Sequence, residues 1–240
     1  MQNAAFRALG LDWRYDVVDT PAAELGRAIG LVRQADAAGA NVTIPHKQAV
    51  MEHLDVIDDE AMRARAVNTI VNREGRLAGY NTDIAAIRRA AAELHVEAAG
   101  TNVLILGAGG AARAAAQALP GAHLTFVTRN PGAADVPGRT VAWRDAVVPS
   151  LARAANLLVN ATPLGRKEEM PLRPAALPVH GAVIDLVYVT GGTPLVRKAR
   201  SLRIPAVDGW EVLLWQGAAA FELWTGKSAP VDVMRETLRP

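Results

Sequence analysis

The sequence predicts an α/β protein of two domains, and three observations carry that prediction. Short β-branched runs alternate with Ala-rich stretches of helical period, the pattern of βα units around a mostly parallel sheet. A fresh series of such units opens at Thr101, with a strand, a glycine turn and an Ala-rich helix in succession. The last helical pattern follows the end of that series near Gly209, so it is free to return to the first unit. The expected division is residues 1–82 completed by the C-terminal helices over 211–240, and residues 83–210, with a cleft shared between the two.

The clearest strands are expected at Arg14–Val18, Asn41–Ile44, Ala66–Val71, Val103–Leu106, Leu124–Val127, Leu157–Asn160 and Val183–Leu186. Each is a short apolar or β-branched run bounded by turn residues. Long helical patterns run over Asp83–Leu94, Ala111–Leu119 and Val212–Trp224, and no repeat or low-complexity linker interrupts them.

Composition removes several classes of function. Of 240 residues, 26 are basic and 24 acidic, a formal net charge of +2. Lys and Arg are scattered and aromatics make up only 5%, so a nucleic-acid surface is not expected. The chain has no Cys, which excludes a disulfide framework, a thiolate nucleophile and thiolate metal sites. No apolar run reaches the roughly 18–20 residues that span a bilayer, and nothing near Met1 reads as a secretory signal. A cytoplasmic protein without a membrane or nucleic-acid partner is the expectation. No exposed heptad or apolar stripe stands out, and the sequence leaves monomer and homodimer both open. His46, His53, His95, His123 and His180 show no ligand spacing, and no metal is assigned.

The most informative local pattern is Gly107-Ala108-Gly109-Gly110-Ala111-Ala112, set between the run Asn102–Leu106 and an Ala-rich helix. This is G-x-G-x-x-A in the strand–turn–helix context that a dinucleotide fingerprint requires. Gly107 permits the tight turn, Gly109 lets backbone N–H groups approach a pyrophosphate, and Ala112 allows close helix–strand packing. The helix N-terminus adds donors and partial positive charge. The next strand decides which nucleotide is expected. A site for NAD carries an acid about 20 residues on, gripping the ribose 2′-OH. Here Thr128-Arg129-Asn130 supplies a guanidinium flanked by hydroxyl and amide donors, which suits a 2′-phosphate. NADP is the expected cofactor.

The first half carries a second polar constellation. Asn41-Val-Thr43-Ile-Pro45-His46-Lys47 reads as a strand entering a helix with Pro45 near its first position. Lys47 then falls in the first turn, where the macrodipole disfavours a cation. A Lys facing a cleft there suits general acid/base work; a Lys pointing into water would do nothing, and this segment alone leaves both open. Asp83 follows Gly79-Tyr-Asn81-Thr82 at a helix start, where acids are common for stability alone. Asn68-Thr69 and Asn81-Thr82 both read as closing short strands whose ends, in a parallel unit, converge on one edge with Thr43 and Lys47. Such an edge suits a polyhydroxylated, non-aromatic substrate.

Taken in order, Asn41-Val-Thr-Ile-Pro-His-Lys47, Ala66-Val-Asn-Thr-Ile70, Gly79-Tyr-Asn-Thr-Asp83, Gly107–Ala112, Asn160-Ala-Thr-Pro-Leu-Gly165, Asp185-Leu-Val-Tyr188 and Gln216-Gly-Ala-Ala-Ala-Phe221 resemble the shikimate dehydrogenase family along nearly the whole chain. The resemblance implies a small substrate-binding α/β domain and a Rossmann-like NADP-binding domain. It implies reversible, NADP-dependent reduction of 3-dehydroshikimate to shikimate, an oxidoreductase step of aromatic amino-acid biosynthesis. Lys47 and Asp83 match its catalytic pair, and Thr43, Asn68, Tyr188 and Gln216 match positions that hydrogen-bond shikimate. Asp59, Leu186 and Gly209 match positions near the cofactor, with Gly107, Ala108, Gly109, Gly110, Ala111, Thr128, Arg129 and Asn130.

The pattern also breaks in places. The family opens with a strand, a Ser-x-Ser turn and a helix continuing His-Asn-Ala-Ala-Phe, whereas this sequence opens at Met1-Gln-Asn-Ala-Ala-Phe6. The strand and the serines that the resemblance assigns to the substrate carboxylate have no counterpart in it. A late start, a front trimmed away and an altered protein are the open explanations. Without those partners, substrate binding is expected to weaken by about 2–4 kcal/mol with the cofactor site intact. Thr128-Arg129-Asn130 permutes the usual Asn-Arg-Thr. Trp210 and Trp215 replace smaller or more polar residues, and Trp215 is expected either to narrow a pocket or to fill core. Two alternatives stand beside the enzyme reading: a quinate/shikimate dehydrogenase, and a non-catalytic nucleotide-binding module of the same fold.

Overall fold

The computed structural model describes residues 1–238. The chain forms two compact units, Met1–Ala85 with Leu214–Pro240, and Ala86–Leu213.

The first unit opens with α1 (Gln2–Ala8) and α2 (Leu25–Val32), followed by β1 (Gly39–Asn41), β2 (Val56–Ile57), α3 (Asp59–Ala64), β3 (Thr69–Arg73) and β4 (Arg76–Tyr80). Its sheet has the order β1-β3-β4-β2. β3 and β4 are an antiparallel hairpin in the register Thr69↔Tyr80 to Arg73↔Arg76. The reversal falls on Glu74 and Gly75, at φ 54° and 83°. A two-residue turn with both positions left-handed matches the twist of the strands it joins. Leu25 and Ile29, one turn apart on α2, pack with Val50, Val67, Ile70 and Leu77 into the core of this sheet. Asp58 caps α3 by accepting from the Glu60 and Ala61 N–H groups.

α4 (Thr82–Glu93) leaves this unit and leads to the second. There β5 (Asn102–Leu106), α5 (Gly110–Ala118), β6 (His123–Thr128), β7 (Arg139–Ala142), α6 (Val148–Ala154), β8 (Leu157–Asn160), β9 (Ala182–Asp185), α7 (Pro194–Ser201) and β10 (Ala206–Val207) follow. All six strands run parallel in the order β10-β9-β8-β5-β6-β7. Val103–Leu106, Leu157–Asn160 and Ala182–Asp185 are buried at every residue. Unbroken apolar runs are what a parallel sheet covered on both faces demands. α8 (Gly209–Thr225) then returns the chain to the first unit, where α9 (Val231–Glu236) follows. Phe6, Leu214, Phe221 and Met234 bury the contact of α1, α8 and α9, and the Trp224 indole donates to the Ile70 carbonyl at 2.9 Å.

Four expectations drawn from the sequence need correction. Residues 14–18 form no strand: the Asn3 side chain takes both backbone groups of Tyr15, at 2.7 and 2.9 Å, in place of a ladder. Val17 and Val18 stand 92% and 71% exposed, so their β propensity finds no sheet to pack on. The strand expected at Asn41–Ile44 is only Gly39–Asn41. Pro45 does not begin an α-helix; residues 44–48 are a turn leading into a 3-10 helix at Ala49–His53, so no macrodipole acts on Lys47. Finally, the first sheet is mixed rather than parallel, and Asn68-Thr69 opens β3 instead of closing a strand.

Candidate active site

In the first unit, the antiparallel hairpin does what parallel strands were expected to do. It lays the start of β3 beside the end of β4, so Asn68 meets Thr82 and Asp83. The Lys47 ammonium donates to Asp83 Oδ2 at 2.6 Å, and the Asn68 amide donates to Asp83 Oδ1 at 2.8 Å. The two charged side chains retain 23% and 18% exposure, enough to meet a ligand. The Lys47 ammonium spends one of its three protons on Asp83 and makes no further hydrogen bond among the described residues.

A second set of groups holds Asn68. Its Oδ1 accepts from the Thr82 N–H at 2.8 Å, the Thr69 hydroxyl at 3.0 Å and the Thr82 hydroxyl at 3.1 Å. With its oxygen so occupied, the amide can present only N–H to Asp83. Asn41 continues the network, donating to Thr69 Oγ1 at 3.1 Å and accepting from the Tyr15 hydroxyl at 3.1 Å. Burial pushes the Tyr15 hydroxyl pKa up, which keeps it a donor. The sequence shows Thr69 and Thr82 only as members of Asn-Thr pairs on a polar edge, and gives Asn41 no part in the site.

In the second unit, Gly107 sits at φ 108°, and a Cβ there would stand 3.0 Å from the Ala161 carbonyl oxygen. Gly109 begins α5, and a Cβ on it would meet nothing within 4 Å. No side chain caps α5, so its first N–H groups at Gly110 and Ala111 are left to a ligand, while Ala112 packs fully buried. Thr128 ends β6, Arg129 is exposed, and Asn130 precedes the 3-10 turn Pro131–Ala133. The Arg129 guanidinium makes no hydrogen bond or ion pair among the described residues. An open glycine turn, an uncapped helix end and an uncommitted guanidinium one strand away fit a phosphorylated dinucleotide.

Comparison with known proteins bears on what these sites are. Residues 1–70 match the shikimate dehydrogenase substrate binding domain, and residues 209–239 match the shikimate 5′-dehydrogenase C-terminal domain. The NADP(+) shikimate dehydrogenase of Symbiobacterium thermophilum is 43% identical over 98% of this chain and 86% of its own. That of Moorella thermoacetica is 42% identical over the whole of this chain and 87% of its own. The chain belongs to the shikimate dehydrogenase family. A crystal structure of the Thermus thermophilus family member, in complex with NADP(H) and shikimate, superposes with a TM-score of 0.88 at 37% identity. It covers 98% of this chain and 91% of that one.

The structure brings some of the family-matched residues together. Lys47, Asn68 and Asp83 form one cluster; Thr43 is exposed on the segment between β1 and Lys47, and Gln216 lies half-buried on α8. Asp59 opens α3, exposed beside the capping Asp58. In the second unit, Leu186 and Tyr188 follow β9, and Gly209 packs on the backbone of Val187 and Tyr188. A Cβ on Gly209 would stand 2.5 Å from the Val187 carbonyl oxygen, so only glycine lets α8 begin there. Trp210 packs on Tyr188 at 5.2 Å and donates to the Val189 carbonyl, whereas Trp215 joins the α1/α8/α9 core. Among the described residues, no helix is long and apolar enough to cross a membrane.

Proposed function

We propose that this protein catalyses the reversible, NADP-dependent reduction of 3-dehydroshikimate to shikimate, a step of aromatic amino-acid biosynthesis. The observation that carries the residue-level reading is the Lys47–Asp83 pair at 2.6 Å, present in a chain 43% identical to a curated NADP(+) shikimate dehydrogenase. Residues 1–82 with 211–240 bind the substrate, and residues 83–210 bind NADP.

NADPH held by the second unit would supply the hydride. Lys47 supplies the proton that the carbonyl oxygen takes up as it becomes a hydroxyl, and in the reverse direction it removes that proton. Being partly exposed, it regains its proton from solvent between turnovers. Asp83 fixes the ammonium by one oxygen and is itself fixed by Asn68, so the donor is oriented before substrate arrives. Thr43, Asn68, Tyr188 and Gln216 hydrogen-bond the substrate hydroxyls. The N–H groups of the turn Gly107 to Ala111 cradle the pyrophosphate. Thr128, Arg129 and Asn130 hold the 2′-phosphate, and Asp59, Leu186 and Gly209 line the rest of the cofactor. The enzyme works in the cytoplasm as a monomer or homodimer. A Cys-free chain without a membrane-crossing helix among its described residues supports that placement.

The test follows NADPH formation by absorbance with shikimate and NADP⁺, with quinate and NAD⁺ as comparison substrates. Turnover is expected with shikimate and NADP⁺, faster than with either replacement. A folded protein that binds NADP⁺ but turns over neither acid would be the non-catalytic module, and faster turnover of quinate would reassign the substrate.

A further inference from the structure

Asp185 ends β9 with no exposure at all. Its Oδ1 accepts from the Asn160 amide at 2.9 Å and from the Val187 N–H at 3.0 Å, and its Oδ2 accepts from the Thr193 hydroxyl at 2.6 Å. Thr193 is equally buried and caps α7, its oxygen accepting from the Val196 N–H at 3.2 Å. The hydroxyl proton of Thr193 therefore has Asp185 as its acceptor. All three contacts, from Asn160, Val187 and Thr193, are of the kind a carboxylate makes as an acceptor.

Every donor to this anion is neutral. The other charge that bears on it, Asp208, is also negative and is taken by Arg200 at 3.0 Å. A buried carboxylate without a cation is costly to maintain. Tying β8, β9 and α7 together does not require the charge, because an asparagine has nearly the same shape and most of the same hydrogen-bonding capacity. The charge itself needs an explanation.

Topology supplies one. The chain runs from β5 to β6 and β7 on one side, then crosses to β8, β9 and β10 on the other, so strand order reverses between β5 and β8. Dinucleotides lie across the carboxyl ends of strands at such a reversal. With the pyrophosphate on the β5–α5 turn and the 2′-phosphate end toward Arg129 after β6, the other half would lie over the ends of β8 and β9. Those ends are Asn160 and Asp185. The nicotinamide ring in that half is cationic when oxidised and neutral when reduced.

We infer that the Asp185 carboxylate sets the relative affinity of the protein for oxidised and reduced cofactor, favouring the cationic ring of NADP⁺ over NADPH. The inference rests on the NADP-binding reading above. It makes Asp185 a positioning residue with an electrostatic effect: the anion lowers the free energy of the state in which hydride has left the cofactor.

The test is the pair of dissociation constants for NADP⁺ and NADPH, measured by calorimetry on the parent and on Asp185→Asn, without substrate. In the variant, the ratio of the NADP⁺ constant to the NADPH constant is expected to rise roughly three- to tenfold, with the NADPH constant almost unchanged. A purely structural role would weaken both forms alike, and an unchanged ratio would overturn the inference. If Asp185→Asn does not fold, Asp185→Ser also lacks the charge and is read by the same ratio. A parent that binds neither form would overturn the cofactor reading itself and this inference with it.

Discussion

Asn68 stands directly behind Asp83: its amide reaches Asp83 Oδ1 at 2.8 Å while Lys47 holds the other carboxylate oxygen at 2.6 Å. The amide has no freedom to flip, because Thr82 and Thr69 occupy its oxygen. The orientation of the charge pair is thus set through Asn68 by two buried threonines whose hydroxyls bond to neither charged group.

Thr69→Val keeps the shape of the side chain and removes its hydroxyl, one of the three donors that hold Asn68 Oδ1. It is expected to lower kcat roughly tenfold with little change in KM, the size of one buried hydrogen bond. Thr69→Ser restores the hydroxyl and should restore kcat. Steady-state kinetics on the two variants separates the hydroxyl from packing; equal defects in both would remove Thr69 from the positioning network.

Arg129→Ala removes the guanidinium expected at the 2′-phosphate. NADP⁺ affinity should fall roughly ten- to hundredfold while the weak affinity for NAD⁺ stays where it was, since only the former has the phosphate. Titration with both nucleotides checks this. A parallel loss of both would place Arg129 outside the phosphate site.

The two glycines of the nucleotide turn should behave differently. Gly107→Ala puts a Cβ at φ 108° and 3.0 Å from the Ala161 carbonyl, and is expected to cost about 1–3 kcal/mol of stability. Gly109→Ala meets no protein atom within 4 Å and has φ −84°, so the melting temperature should hardly move. Its methyl group would instead obstruct a pyrophosphate, weakening NADP⁺ binding. Thermal melts and nucleotide titrations on both variants test the contrast.

Burial pushes the Asp185 carboxyl above its ordinary value of 3.8, against the lowering effect of its hydrogen bonds. Between the unfolded and folded values, the native state then holds more protons than the unfolded state. The contribution of Asp185 to stability therefore falls as pH rises through that window. Asp185→Asn lacks this contribution. The stability of the variant relative to the parent should improve as pH is raised from below 3.8 toward neutrality, in denaturant melts at matched pH values. A constant difference would mean that the carboxyl titrates alike in both states.

The second unit was largely legible because its strands are buried on both faces. Val103–Leu106 and Leu157–Asn160 are continuous runs, and the glycine turn between strand and helix admits few alternatives. The first unit was less so. Arg14–Val18 has strand composition, but Asn3 binds Tyr15 in place of a neighbouring strand, a contact that residue preference does not encode. The cluster at Lys47 and Asp83 was found through its residue types, although the parallel geometry imagined for it was wrong. Its antiparallel basis lies in Glu74-Gly75, a turn whose left-handed Glu gives little warning in sequence. The network at Asp185 escaped notice because Asn160, Asp185 and Thr193 are dispersed and meet only where two parallel strands end.

Lys47→Ala tests the central claim most directly. With the ammonium gone, NADPH-linked interconversion of shikimate and 3-dehydroshikimate should fall by roughly 10²–10⁴ while NADP⁺ affinity, measured by titration, is retained. A Lys47→Ala protein as active as the parent would contradict the account, since the proton would then be moved by a group other than the one Asp83 and Asn68 are arranged to hold.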